Sequence, residues 1–185
     1  RMKTFIDLQE GVYDPNIFKA FFLAGGPGSG KSFVVRKTTG GLGMRVVNSD
    51  DIFEKLLDKE GLSKKMPASE TEPRDIVRAR AKKLTSAKKA NYVEGRLGLI
   101  IDGTGKDYDR IARQATKLKQ LGYDVHMIFV NTSLDVALER NQKRERTVPE
   151  SITIKSWNDV QRNIGKFSQY FRQNFIVVDN NEANE

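Results

Sequence analysis

The chain of 185 residues has no cysteine and one histidine, His126. Disulfides and thiolate metal centres are therefore excluded, and so is any metal site built from clustered imidazoles. No apolar run approaches the roughly 20 residues that a membrane-spanning helix requires. The opening Arg1-Met2-Lys3-Thr4-Phe5 does not read as a signal peptide, because a charged, broken stretch follows it. These absences predict a soluble, cytoplasmic protein with no membrane partner. What is in excess is positive charge. Lys and Arg number 32 against 24 Asp and Glu, a net charge of +8, and the pI is about 9.6. Such a balance favours an anionic partner, a nucleotide or a nucleic acid.

The length fits one domain able to bury roughly 70% of its unfolded surface without staples. Short apolar runs alternate with helical patterns, the mark of an α/β domain with a parallel sheet. Strands are predicted at 17–24, 44–48, 97–102, 123–130 and 175–179. Helices are predicted at 29–39, 50–59, 73–94, 108–121, 133–143 and 152–171. The polar stretch 58–72, with Gly61 and Pro67, reads as a mobile excursion. Segment 1–16 carries no readable chemistry and is expected to cover a sheet edge or serve an interface. The kinase-type domain would span 17–179, and 180–185 reads as a disordered tail. In a doubly wound sheet, ligands gather at the carboxyl ends of the strands.

The first strand runs into Gly25-Gly26-Pro27-Gly28-Ser29-Gly30-Lys31-Ser32. This is the full G-x-x-x-x-G-K-[ST] phosphate loop in its required strand-to-helix setting. Its glycines let successive amides turn toward phosphate oxygens, and the helix that follows adds its positive end. Lys31 is expected to reach the β- and γ-phosphates, and Ser32 to ligate Mg²⁺.

Three further segments separate kinases from motors and switches. The third strand ends Ile100-Ile101-Asp102-Gly103-Thr104. Asp102 suits a magnesium-bound water or a substrate hydroxyl, and no Glu follows it to activate water as in motor ATPases. The guanine-reading Asn-Lys-x-Asp of GTPases is absent. The second strand ends Asn48-Ser49-Asp50-Asp51, beside the phosphate loop in a parallel sheet. Asp50 is the candidate base for an attacking hydroxyl, with Asp51 beside the substrate; either could instead cap the next helix. After the fourth strand, residues 140–149 are rich in arginine. Arg140 and Arg144, four apart, are expected to share a helix face and clamp the transferring phosphoryl group as a lid.

These four segments, in this order, resemble the polynucleotide-kinase and zeta-toxin group of P-loop kinases. The resemblance covers roughly residues 19–179 and extends to zeta-toxin-like proteins of tailed bacteriophages. It implies a P-loop NTPase fold with a five-stranded parallel sheet in the order 2-3-1-4-5 and a small lid. It also implies ATP and Mg²⁺ as cofactors and a hydroxyl-bearing acceptor. In the polynucleotide kinases the first Asp after the second strand is the general base, which corresponds to Asp50. Their lid arginine before Val-Pro corresponds to Arg144, and Asp102 matches the aspartate that ends strand three. Three residues after the base they carry Arg, where this chain has Phe53. Zeta-like kinases phosphorylate a UDP-activated amino sugar and end strand three in an acidic-Gly-Thr-x-Arg pattern. Asp102-Gly103-Thr104-Gly105-Lys106 is similar to it and implies Thr104 and Lys106 as substrate contacts. A kinase of nucleic acid or nucleotides is the leading expectation. A UDP-sugar kinase and a nucleotide-gated binding module are the alternatives.

Arg74, Arg78, Lys82, Lys88 and Lys89 fall within a sector of about 120° on the helix predicted at 73–94. They form either a backbone-binding stripe or a solvated face. No aromatic platform interleaves with them. His126 and Trp157 read as core residues.

Overall fold

The computed structural model describes residues 17–39, 43–144 and 146–182. The segment 1–16 and residues 183–185 of the expected tail lie outside the described residues. Five strands form one sheet: β1 (Lys19–Ala24), β2 (Arg45–Val47), β3 (Leu99–Asp102), β4 (Asp124–Asn131) and β5 (Phe175–Asp179). Every neighbouring pair is parallel, and the order β2-β3-β1-β4-β5 is the expected one. Six α-helices connect or follow them: α1 (Lys31–Thr39), α2 (Ser49–Lys59), α3 (Thr71–Glu94), α4 (Tyr108–Gln120), α5 (Leu134–Lys143) and α6 (Glu150–Phe171). None is long and apolar enough to cross a membrane.

The alternation of side chains along a strand splits the core in two. Ala20, Phe22 and Ala24 of β1 face Ala115 and Leu118 of α4 and Val160, Phe167 and Phe171 of α6. Leu23 points to the other face, toward Val34 of α1, with Ile100, Ile128 and Val130 beside it. Because both faces are covered over the central β1, β3 and β4, those strands read as near-continuous apolar runs. Leu23 pairs with Asp102 and Ala24 with Phe129. The carboxyl ends of β1, β3 and β4 therefore meet along one edge, where the phosphate loop begins.

Helices α2 and α3 build a separate small core of Phe53, Leu57, Val77 and Ala81, joined by Leu62 and Met66. Full burial of Phe53 contributes roughly 1.5–3 kcal/mol. The stretch expected as an excursion is thus anchored through Leu62 and Met66, and a 3₁₀ turn at Ala68–Glu70 leads into α3. At the other end of the chain, Asn180 opens the segment expected to be disordered. It is instead 5% exposed and hydrogen-bonded by its backbone N–H to the Asn131 carbonyl. Helices α3 and α4 stand apart, and a cleft of about 770 Å³ lies between them. Phe22, Val47 and Ile101 line it, and it reaches the end of β3 at Asp102.

Candidate active site

Lys31 is the first residue of α1, and its side chain folds back over the phosphate loop. Nζ donates to the Gly25 carbonyl at 2.6 Å and to that of Gly26 at 3.4 Å. Burial lowers the Lys31 pKa; Asp102 and Asp50 oppose this and Arg144 adds to it. Residues from four separate segments therefore share one electrostatic centre. The loop itself is held from three sides. The Gly25 amide donates to the Thr104 carbonyl at 2.8 Å, and Asn180 Nδ2 donates to the Ser29 carbonyl at 2.8 Å. Gly28, at φ +79°, lies against α5 so closely that a Cβ there would sit 2.1 Å from the Ala137 carbonyl oxygen. Gly26 faces the backbone of Trp157, whose indole N–H donates to the Thr132 carbonyl at 2.9 Å. Ser32 follows in the first turn of α1, exposed.

The end of β2 is fastened to the end of β3 by Asn48. Its Oδ1 accepts from the Asp50 amide at 2.8 Å and caps α2. Its Nδ2 donates to Asp102 Oδ2 at 2.9 Å and reaches Asp51 Oδ1 at 3.3 Å. The capping role considered for Asp50 or Asp51 belongs to Asn48, which leaves both carboxylates in the first turn. Asp102 Oδ1 is buried and without a hydrogen-bond partner. Burial raises the Asp102 pKa, Lys31 opposes this, and Asp50 and Asp51 raise it further. The Asp51 pKa is also raised, by burial and then by Glu54 and Asp50.

The arginine-rich segment is arranged differently from the helix face expected for Arg140 and Arg144. Helix α5 ends at Lys143, and Arg144 is extended, with φ −78° and ψ 148°. The cause is Asn141, whose Nδ2 donates to the Val148 carbonyl at 2.7 Å. Its Oδ1 accepts from the Val148 amide at 3.1 Å. This clasp pulls the chain off the helix axis, as a side chain competing for backbone groups does. Arg140 turns toward the chain end, its Nη2 reaching the Asn181 carbonyl at 3.4 Å. Arg144 remains near Lys31. The residue that reaches the Asp50 carboxylate is Arg146, which sequence reasoning passed over. Only 8% exposed, it places Nη2 3.2 Å from Asp50 Oδ2 and donates from Nε to Glu54 Oε1 at 2.7 Å.

The predicted basic stripe on α3 is divided rather than continuous. Arg78 lies 4.2 Å above the centre of the Phe53 ring. Its pKa is drawn down by burial, with Asp50 opposing and Arg146 adding. Arg74 bonds the Pro67 carbonyl at 2.9 Å, and Lys88 lies over Tyr92 at 5.7 Å. Lys82 and Lys89 face the cleft. Phe53, three residues after Asp50 where the polynucleotide kinases hold arginine, is core here, and Arg78 from α3 lies over it.

Thr104 and Lys106 line the cleft. Their loop is held from beneath by Asn163 of α6, another residue sequence reasoning missed. Its Nδ2 donates to the carbonyls of Gly105 and Lys106, each at 2.9 Å. Gly105 approaches β1 closely, and a Cβ there would stand 2.6 Å from Ala24 Cβ. His126, half-buried, stacks on Phe21 at 5.0 Å and bonds Asp124 at 2.8 Å.

The residues fit a magnesium ion held largely by phosphate oxygens and water. Asp102 Oδ1 is a buried acceptor without a partner. Among the described residues no group of three or more His, Cys, Asp or Glu could cage a metal by itself. Mg²⁺ in phosphoryl-transfer sites commonly takes only one or two protein ligands.

Residues 21–166 match the family described as AAA domain. The chain belongs to the AAA domain family. No curated protein matches it. Among solved structures, this AAA domain is similar to the AvrRxo1-ORF1:-ORF2 assembly determined with ATP. The TM-score is 0.72 at 16% identity, over 90% of this chain and 56% of that one. It is similar to a chain of the Pnkp1/Rnl/Hen1 RNA repair complex, with TM-score 0.59 and 21% identity over 82% of this chain and 47% of that one. Shikimate kinase from Bacteroides thetaiotaomicron gives TM-score 0.52 and 14% identity, over 90% and 89% of the two chains. The present chain spans about half the length of the first two. The likeness is one of fold, a kinase-like P-loop fold with a nucleotide-binding loop at the carboxyl edge of its sheet.

Proposed function

We propose that this AAA domain protein is an ATP- and Mg²⁺-dependent kinase that phosphorylates a hydroxyl, most readily one on a nucleic acid or nucleotide. The observation that carries the reading is the convergence at Lys31. The phosphate loop, the carboxylates of Asp50 and Asp102 and the guanidinium of Arg144 all act on its ammonium, and an open cleft starts at Asp102. A hydrolysing motor would have no need of such a cleft. The charge balance supports the anionic acceptor.

In this reading the loop amides, Lys31 and Arg144 hold the triphosphate, with Arg140 beside the loop. Ser32 and Asp102 would hold Mg²⁺, which would offset the negative charge of the triphosphate. Asp50 accepts the proton of the acceptor hydroxyl. That oxygen forms a bond to the γ-phosphorus, the bond from the γ-phosphorus to the bridging oxygen breaks, and ADP departs. Arg146 must share or release Asp50 for this, and Glu54 gives it a second anchor. Thr104, Lys106 and Asp51 lie on the acceptor's side.

The test is transfer from γ-labelled ATP to 5′-hydroxyl DNA and RNA, hydroxymethylated DNA, nucleosides and UDP-N-acetylglucosamine. Lys31→Ala is the blank. Asp50→Asn and Asp102→Asn are then compared at fixed ATP. The reading expects label on a nucleic acid or nucleotide and loss of roughly 10²-fold or more in Asp50→Asn. Label on the sugar nucleotide alone would move the enzyme to the zeta-like class. ATP binding without transfer to any acceptor would leave a nucleotide-gated binding module.

A further inference from the structure

The cleft between α3 and α4 carries positive charge that the phosphate loop does not use. Lys82 and Lys89 enter it from α3, Lys106 from the loop after β3, and Arg110 from α4. Among the described residues none of the four is in a salt bridge. Lys89 is half-buried, and its Nζ donates to Gln114 Oε1 at 2.8 Å. The amide fixes the ammonium across the cleft but does not neutralise it, and two of its three donors remain. Burial, together with repulsion from Arg110, brings the Lys89 pKa from 10.5 to about 8. A partly desolvated cation beside a second cation, with no carboxylate on either, is strained until an anion arrives.

The acidic groups of the cleft lie elsewhere. Asp102 stands at its upper end, and Glu94 is near the base of α3. Asp107 is engaged in capping α4, accepting from the Arg110 amide at 3.0 Å. The middle of the cleft is therefore cationic over an apolar floor of Phe22, Val47 and Ile101. Gln114, which marks the level of Lys89, lies six residues beyond the start of α4 at Tyr108. At 1.5 Å per residue that is about 9 Å down the helix.

We propose that this cleft seats the acceptor by a phosphate that the acceptor already carries, held by Lys89 and Arg110, with its reacting hydroxyl toward Asp102. The proposal rests on the kinase reading for the hydroxyl and on the cleft alone for the phosphate. Two sources present this chemistry, a phosphomonoester on a small molecule and a phosphodiester in a polynucleotide strand.

Trace acetylation of the full chain at pH 8, read by mass spectrometry, needs no turnover. Lys89 is about half neutral at that pH and should react faster than ordinary lysines, which stay protonated. Methyl phosphate and dimethyl phosphate are the probes, with chloride and sulfate at matched ionic strength as controls and exposed Lys59 as the internal reference. One or both phosphate esters should slow acetylation of Lys89 severalfold while leaving Lys59 unchanged. Arg110→Gln, a change at an exposed position, should weaken that protection about tenfold, the scale of one charge-assisted hydrogen bond. Stronger protection by the monoester identifies a small phosphorylated acceptor; stronger protection by the diester identifies a strand. No protection, or protection matched by chloride and sulfate, overturns the subsite. Protection without transfer to any hydroxyl would leave the subsite standing and sink the kinase reading. Transfer without protection would do the reverse.

Discussion

Arg146 holds Asp50 at 3.2 Å and Glu54 at 2.7 Å, so the segment after α5 is tied to the first two turns of α2. Two-point contact of this kind needs the planar guanidinium fork. Both carboxylates are partly exposed while Arg146 is not. Arg146→Gln should therefore cost about 1–2 kcal/mol, less than a fully buried pair. For a chain of this length that lowers Tm by roughly 2–4 °C per kcal/mol. Transfer should fall further, about 10²-fold in kcat, because Asp50 loses its placement. Arg146→Lys should restore stability better than rate. Equal rates in the variant and the parent would remove Arg146 from the site.

Asn180 closes the phosphate loop from the end of β5, through its side chain to the Ser29 carbonyl at 2.8 Å. Asn180→Ala leaves that carbonyl in a buried setting without its partner, at a cost of about 1–3 kcal/mol. Calorimetric titration with ATP should show weaker binding by severalfold alongside the lower Tm. If ATP affinity is unchanged while Tm falls, Asn180 supports the fold and not the loop.

Two glycines with positive φ should respond unequally to alanine. Gly28 at φ +79° would drive its Cβ to 2.1 Å from the backbone oxygen of Ala137, whereas Gly61 at φ +68° has nothing within 4 Å. Gly61→Ala should cost only the backbone term of about 1–2 kcal/mol. Gly28→Ala must move α5 or the loop, and should lose ATP binding altogether. Denaturant melts of the two variants, with ATP titration, measure the difference.

Lys89 makes stability depend on alkaline pH. Its folded pKa of about 8 lies below the ordinary 10.5, so the unfolded chain binds its proton more tightly. The resulting penalty is full below pH 8, shrinks as pH rises through that value, and is gone by about 10.5. Lys89→Met should be more stable than the parent at pH 7, and the gap should close between pH 8 and 10.5. A gap that stays constant over that range would mean the gain came from apolar contact and not from the charge.

Contiguous residues made much of this molecule legible. Apolar runs marked all five strands; β1 and β4, covered on both faces, need apolar side chains throughout, whereas edge strand β5 leaves Ile176 and Val177 exposed. The phosphate loop was readable because its glycines, Lys31 and Ser32 act within eight residues. Helix ends drifted by a residue or two where caps decided them, as with Asn48 before α2. The stripe on α3 could not be resolved because angular position on a helix says nothing of what each side chain meets: Arg78 found Phe53, and Lys89 found Gln114.

The sequence by itself determined a P-loop α/β domain with a basic surface and a carboxylate at the ends of β2 and β3. Only the tertiary structure decided which residues hold them. Arg146 meets Glu54 across 92 positions, Asn180 meets Ser29 across 151, and Asn163 meets Gly105 across 58. Periodicity and motif spacing record what an element buries locally. A polar side chain chooses its partner only after distant segments close on one another, and that closure is set by the whole sheet.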